Sequence, residues 1–263
     1  MAPVSCDDDA RGARFDALEA PGARFWLSDL TGARFEQTSL ADVVMRGVDL
    51  SNADVDGDLR GLVLNGVAVA PLVEAELDRR HPGRASRRSP DPAAQLAAFE
   101  AAQRAWDATI DRAASRPALR DARADGEWSI AQTLRHLVFA TDGWLRHAVL
   151  GLPDAFAPIG LPFTEWWDQA AGLGVDVAAT PTWDEVLAVR AERTAQVRAF
   201  LADVSREHFA APPAGLPPWH DDGTADLSAW SVARCLGVIG NEEWEHLRFT
   251  MRDLDAVERG LAP

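Results

Sequence analysis

The sequence predicts an α+β protein of two domains, a short β-solenoid followed by a four-helix bundle, on three observations. Large apolar residues recur every five positions near the N-terminus. Beyond residue 90 the apolar period becomes 3.6, and the long stretches there carry helix start signals.

The five-residue series is Phe15, Ala20, Phe25, Leu30, Phe35, Leu40, Met45, Leu50 and Val55. Ala13, Ala23, Ser28, Ala33, Thr38, Val43, Val48 and Ala53 stand two places before members of it. Neither a helix nor a strand has that period. Five residues per side suit a square coil whose large and small members point into a column while polar residues turn the corners. The spacing slips by one after Val55 and resumes at Leu59, Leu64 and Val69, with Leu62 and Val67. A solenoid is therefore expected over 13–70, after a tail of 1–12. Because stacked coils end in an open edge, "PLVEAELDRR" (71–80) is expected to form a helix that caps it. "HPGRASRRSPDP" reads as a Pro-, Ser- and Arg-rich linker, so 71–90 joins the domains.

The bundle is expected over 91–258. Asp91-Pro92 is an N-cap with proline at the first helical position, opening a helix to about Ala114. "SIAQ" at Ser129–Gln132 is a capping box opening a second helix to about Leu150, and "TWDE" at Thr182–Glu185 opens a third to about Val204. A fourth runs from about Leu227 to Glu258. Helices one and two, and three and four, have loops short enough for antiparallel neighbours. The Gly- and Pro-rich stretch between two and three is long enough to return along the bundle and border a pocket, held down by Trp166 and Trp167.

Composition excludes several classes of chemistry. There is no Lys and no Tyr, so no Schiff-base or P-loop lysine and no tyrosine acid. A net charge of −15 argues against sequence-independent binding to nucleic acid or anionic lipid. Cys6 and Cys235 are too few for a disulfide framework, and no segment has the roughly 18 apolar residues of a membrane span, so a cytoplasmic setting is expected. The Arg- and Ala-rich composition suggests a GC-rich bacterial genome.

"NEEWEH" (241–246) raises the functional question. On a wheel with Cys235 as origin, Val232, Ile239, Phe249 and Val257 form a stripe, with Glu242 and His246 near its middle and Glu243, Trp244 and Glu245 toward its edges or behind. Glu242 and His246 are i, i+4 and share a face. A carboxylate so placed needs a buried Arg, a proton or a cation. A divalent ion would serve both side chains, and His136 on the second helix is the candidate third ligand. Thr133, Ala140 and Gly143 share its face and are small enough to leave room for an ion and something bound to it. His147 lies too far along the helix, about 16 Å at 1.5 Å per residue, to join it.

Two resemblances follow from these residues. "GARFDALEA", "GARFWLSDL" and "GARFEQTSL" resemble the pentapeptide-repeat family, which implies a right-handed quadrilateral β-helix and, functionally, a docking module. Its bland reading is a structural appendage or a homodimer contact; DNA mimicry is disfavoured by the few coils and mixed charge. "WSIAQTLRHLVFATDGWL" and "NEEWEHLRFTMRDLDAVE" resemble the second and fourth helices of the DinB superfamily, which implies an up-down-down-up four-helix bundle holding a divalent metal. The His, Glu-x-x-x-His set is similar to the mycothiol-dependent maleylpyruvate isomerase branch. That similarity implies His136, Glu242 and His246 as ligands of zinc, with nickel or iron as alternatives. It also implies mycothiol or another small thiol as cosubstrate, activated at an open fourth position for transfer or isomerisation of a small molecule. The rival is a noncatalytic scaffold with a docking solenoid and a structural or vestigial metal.

The remaining candidates have bland readings. Cys235 is expected as a small core residue, or else a thiol near the site or an extra ligand. His220 in "PPWHDDG" is a pocket-lip acid or base, or simply exposed. Asp253 should pair with an arginine. His81 and His208 have no assigned role.

Overall fold

The structure is a computed structural model of the chain, describing residues 12–36, 38–124, 126–221 and 223–260. The chain divides into two units, Met1–Gly57 and Asp58–Pro263. The expected tail lies, apart from Gly12, outside the described residues.

In the first unit the five-residue period is written in the backbone. Positive φ recurs at Gly12, Ala17, Gly22, Leu27, Gly32, Asp42, Gly47, Asn52 and Gly57, every fifth residue save the undescribed 37. Turns closed by Ala23 N to Ala20 O, Ala33 N to Leu30 O, Val43 N to Leu40 O and Ala53 N to Leu50 O repeat every ten residues. Asp29 and Asp49 each accept the amide of the residue two places on, a side-chain mimic of a turn. The large members of the series are exposed: Phe15, Phe25 and Phe35 by 70%, 68% and 55%. Among the described residues of this unit no strand ladder joins one turn to the next. Corner geometry is local and needs only the right residue every fifth place, whereas a column needs coils to stack.

The second unit opens with a hairpin, β1 Val63–Leu64 and β2 Val67–Ala68, paired antiparallel with Leu64 opposite Val67. This corrects the expectation of a further coil to residue 70. Asn65 and Gly66 both have positive φ, as a two-residue type I′ turn requires, and Asn-Gly between apolar residues is a strong hairpin signal. The helices that follow are α1 Ala70–Arg80, α2 Pro92–Ser115, α3 Ile130–Thr141, α4 Trp167–Ala170, α5 Trp183–Asp203, α6 Arg206–Ala210 and α7 Val232–Glu258.

Both expected capping boxes form: Ser129 accepts from Gln132 N and Thr182 from Glu185 N, with both reciprocal bonds present. The second predicted helix changes character partway. After Thr141 it continues as a π-helix, Asp142–His147. The fourth starts later than expected, because a 3-10 turn at Leu227–Ala229 breaks at Trp230 and Ser231 caps α7.

The linker 81–90 is also corrected. Arg84–Arg88 form a 3-10 turn packed on α2 and α7, with the Arg84 and Arg87 side chains buried. Arg84 donates to Glu74 and Asp78 on α1 and to Glu245 on α7; Arg87 donates to Glu74 and Asn241. Gly240 permits the approach, since a Cβ there would sit 3.2 Å from the Arg87 carbonyl oxygen.

The four long helices contact one another in the cyclic order α2, α7, α3, α5. Helices one and two, and three and four, were expected as antiparallel neighbours. Instead α2 and α3 lie across one diagonal and α5 and α7 across the other, because the connections 116–129 and 204–231 are long enough to cross the bundle end. Two apolar clusters fill the interior. One centres on Phe99, Trp144, Val197, Cys235 and Ile239, the other on Trp106, Leu134, Val186, Trp244 and Leu247. Along α7 the step from Ile239 to Trp244 between them holds Glu242 and Glu243, and buried polar side chains occupy that level.

Candidate metal centre

The buried seam of α7 runs through Leu236, Ile239, Gly240, Glu243, Leu247, Thr250 and Leu254, spaced by threes and fours. It is rotated by about 80° at 100° per residue from the stripe predicted with Cys235 as origin. Glu243, expected near the edge or behind, is therefore at the centre and 0% exposed. Glu242 and His246 sit on the flank, half-buried, with side chains 28% and 19% exposed. That position faces a neighbouring helix while keeping a way to solvent.

The neighbour is α3. His136 lies one turn beyond Thr133, on a helix buried on nearly all sides. Its Nε2 is 3.4 Å from Glu242 Oε2, and His246 Nε2 is 3.2 Å from the same oxygen. One potential ligand atom from each of the three residues lies within 4.8 Å of the others, so they could hold one ion. Burial alone would raise the Glu242 carboxyl; hydrogen bonds from His136 and His246 and their charge outweigh it and hold the acid well below the usual carboxylate range.

The tautomer of His136 is set by its other nitrogen. Nδ1 is 3.0 Å from the carbonyl oxygen of Leu161 in the crossover. A carbonyl only accepts, so Nδ1 carries a proton; Nε2 then either donates a second proton to Glu242 from a charged ring or, in the neutral ring a metal would take, turns a lone pair toward the carboxylate. Two acceptors facing each other repel; a proton or a cation between them removes the conflict.

Aromatic rings wall the trio. Trp128, just before the cap of α3, lies 4.9 Å from His136 and stacks on His246 at 6.3 Å between centroids, and Phe249 meets His246 edge-on. Trp128 escaped the sequence reading, although an apolar residue before an N-cap is the usual first half of a hydrophobic staple.

The other candidates are distributed as follows. Thr133 and Ala140 are buried on α3 on either side of His136. Gly143 makes room for Trp219, not for a ligand: a Cβ there would come within 2.2 Å of the indole. Trp219 is also what the crossover packs on, through Phe156, Phe163 and Trp166. Trp167 is 39% exposed and donates to the Pro162 carbonyl, so it holds the loop only locally. Cys235 belongs to the first apolar cluster, and burial pushes its thiol up to about 12. His220 is exposed, its ring against Trp144 and Trp230 and away from the trio. His147 borders a separate surface cavity with Gly151, Pro153 and Ala214. Asp253 pairs with Arg252 at 2.7 Å. Cys6 lies outside the described residues.

Two polar clusters were not anticipated. Arg190 of α5 pairs with Glu243 and also donates to Gln103 of α2, while Trp106 donates to the Glu243 carbonyl. Asp142, 0% exposed, accepts from Arg193 at 2.5 Å and from the Ala157 amide at 2.7 Å. No helix among the described residues is long and apolar enough to cross a membrane.

Comparison with known proteins agrees with both resemblances. A model of pentapeptide repeats (eight copies) matches residues 28–57. Neither a curated protein nor a solved structure matches. A model of the DinB superfamily matches residues 68–249, most of the chain and the whole stretch from the end of the hairpin through His136, Glu242 and His246, so the chain belongs to the DinB superfamily.

Proposed function

We propose that the protein is a divalent-metal enzyme, with zinc the first choice, in which His136, Glu242 and His246 are the ligands and a low-molecular-weight thiol is activated for transfer to, or isomerisation of, a small electrophilic substrate. The observation that carries this is the meeting of two imidazole nitrogens and a carboxylate oxygen. With Nδ1 engaged by the Leu161 carbonyl, His136 turns Nε2 toward Glu242 and His246, where a cation can take the place of the protons shared between them. Two imidazoles and one carboxylate suit zinc, and such a three-ligand ion supplies an open position and a lowered thiol pKa. The chain's own residues do the rest. The Leu161 carbonyl orients one imidazole and Trp128 stacks on the other, walling off water on that side. Glu242, held ionised, supplies the negative charge that the two imidazoles lack. Cys235 is not the reacting thiol, since burial keeps it protonated, and a soluble cosubstrate fills that role.

The proposed setting is a bacterial cytoplasm. The repeats are proposed to stack as a short right-handed quadrilateral β-helix, for which the five-residue recurrence of positive φ is the support. A second reading, a noncatalytic scaffold with a docking or homodimer contact, is favoured by the exposed apolar series Phe15 to Val55.

Metal analysis of wild type beside H136A, E242A and H246A tests the site: about one equivalent is expected in wild type and loss in each variant. Equal metal in all four sinks it. Adding a small thiol to the Co2+-loaded protein should then produce a thiolate-to-metal charge-transfer band. Bound metal with no thiol response favours the scaffold.

A further inference from the structure

Arg135, next to His136 on α3, is buried at 7% exposure and makes no ion pair among the described residues. A buried guanidinium satisfied only by carbonyls is a costly choice where an apolar side chain would pack. Its contacts account for the choice. Nε donates to the Ile159 carbonyl at 2.8 Å and Nη2 to the Asp176 carbonyl at 3.4 Å, so one planar fork grips the crossover at two points seventeen residues apart in sequence. The Arg135 carbonyl accepts from Leu161 N at 3.2 Å. Leu161 is therefore pinned on both sides, through its own amide and through Ile159 two residues earlier, and its carbonyl is the group that receives the proton of His136 Nδ1.

From this we infer that Arg135 is a positioning residue: by seating Ile159–Leu161 it fixes His136 as the Nδ1–H tautomer and keeps Nε2 free to face Glu242 and His246. The inference rests on the proposed metal reading for its functional meaning, but the tautomer itself is a property of the metal-free protein. An imidazole that loses its carbonyl partner populates the Nε2–H form, which cannot coordinate through that atom. Partners of this kind typically change metal affinity 10–100-fold.

The test is long-range 1H–15N correlation of the six histidines in metal-free wild type, R135Q and R135K, with Co2+ titration of each and far-UV circular dichroism as a check on folding. At a pH high enough that the rings are neutral, wild type should show His136, assigned by its absence in H136N, with a protonated Nδ1 and a pyridine-like Nε2. R135Q should show a mixture of tautomers and about 10–100-fold weaker Co2+ binding. R135K keeps one donor for Ile159 and loses the arm to Asp176, so both readouts should move the same way by less. A folded R135Q with the wild-type tautomer overturns the inference. Should R135Q fail to fold, an unmoved tautomer in R135K overturns it equally. If the tautomer shifts while wild type binds no Co2+, the metal reading falls and the role of Arg135 stands; unchanged tautomer with normal Co2+ binding does the reverse.

Discussion

Glu242 and Glu243 are adjacent and chemically identical, yet the fold uses them in opposite ways. Glu243 is at the centre of the α7 seam, where Arg190 compensates it inside the bundle. Removing one partner of such a pair leaves an unpaired buried charge, which costs about 3–5 kcal/mol. R190A should therefore be destabilised by about that amount in urea denaturation, and the double variant R190M/E243M by clearly less. Glu242 lies on the flank beside two imidazoles, so E242Q should change stability by less than about 1 kcal/mol, in the range of partly exposed pairs, while losing the metal. An E242Q as unstable as R190A would mean that Glu242 is a structural charge. Residue types alone could not separate these roles. The convergence of His136, Glu242 and His246 was legible, because i, i+4 spacing survives any error in the wheel's origin. The burial of Glu243 was not, because its compensating Arg190 lies on another helix and leaves no local mark.

At the scale of elements, what the sequence disclosed tracks how local the cause is. Capping boxes at Ser129 and Thr182 and the proline at the start of α2 are short-range signals, and those helices begin where expected. The π-helix after Thr141 and the turn at Arg84–Arg88 depend on distant partners, Arg193 for Asp142 and Glu245 for Arg84, and a reading by composition made the second a linker. That turn clamps α1 to α7, and the clamp has a pH dependence. Glu74 bonds Arg84 and Arg87, which hold its carboxyl at about 2 against an ordinary 4.5. A depressed folded value means the contribution is complete above the unfolded value and is lost as pH falls from about 4.5 through about 2. Thermal unfolding of wild type should show Tm dropping across that window, and E74Q should show a shallower drop with a lower Tm at neutral pH. Parallel curves for the two proteins would remove Glu74 from the acid response.

The whole molecule joins two kinds of order. Among the described residues of Met1–Gly57 the order is periodic and local, a corner every fifth residue, with the apolar series left exposed. In Asp58–Pro263 it is cooperative: both apolar clusters, the buried pairs Arg190–Glu243 and Arg193–Asp142, and the whole candidate metal centre belong to this unit. The period of five was plain in the sequence because it repeats, and the end of the series was misjudged because Asn65-Gly66 keeps the spacing of a repeat while folding as a hairpin. Among the described residues both apolar clusters and the trio are built from residues after Asp58, so a chain starting there should fold and bind as the full chain does. Its Tm should lie within about 2–4 °C of the full-length value, the shift that 1 kcal/mol produces in a domain of this size. Its Co2+ affinity should match. A Tm lowered well beyond that margin, or a lost Co2+ spectrum, would show that the repeats support the bundle; an unchanged bundle leaves them free to serve a partner, and the two roles are separated by this one truncation.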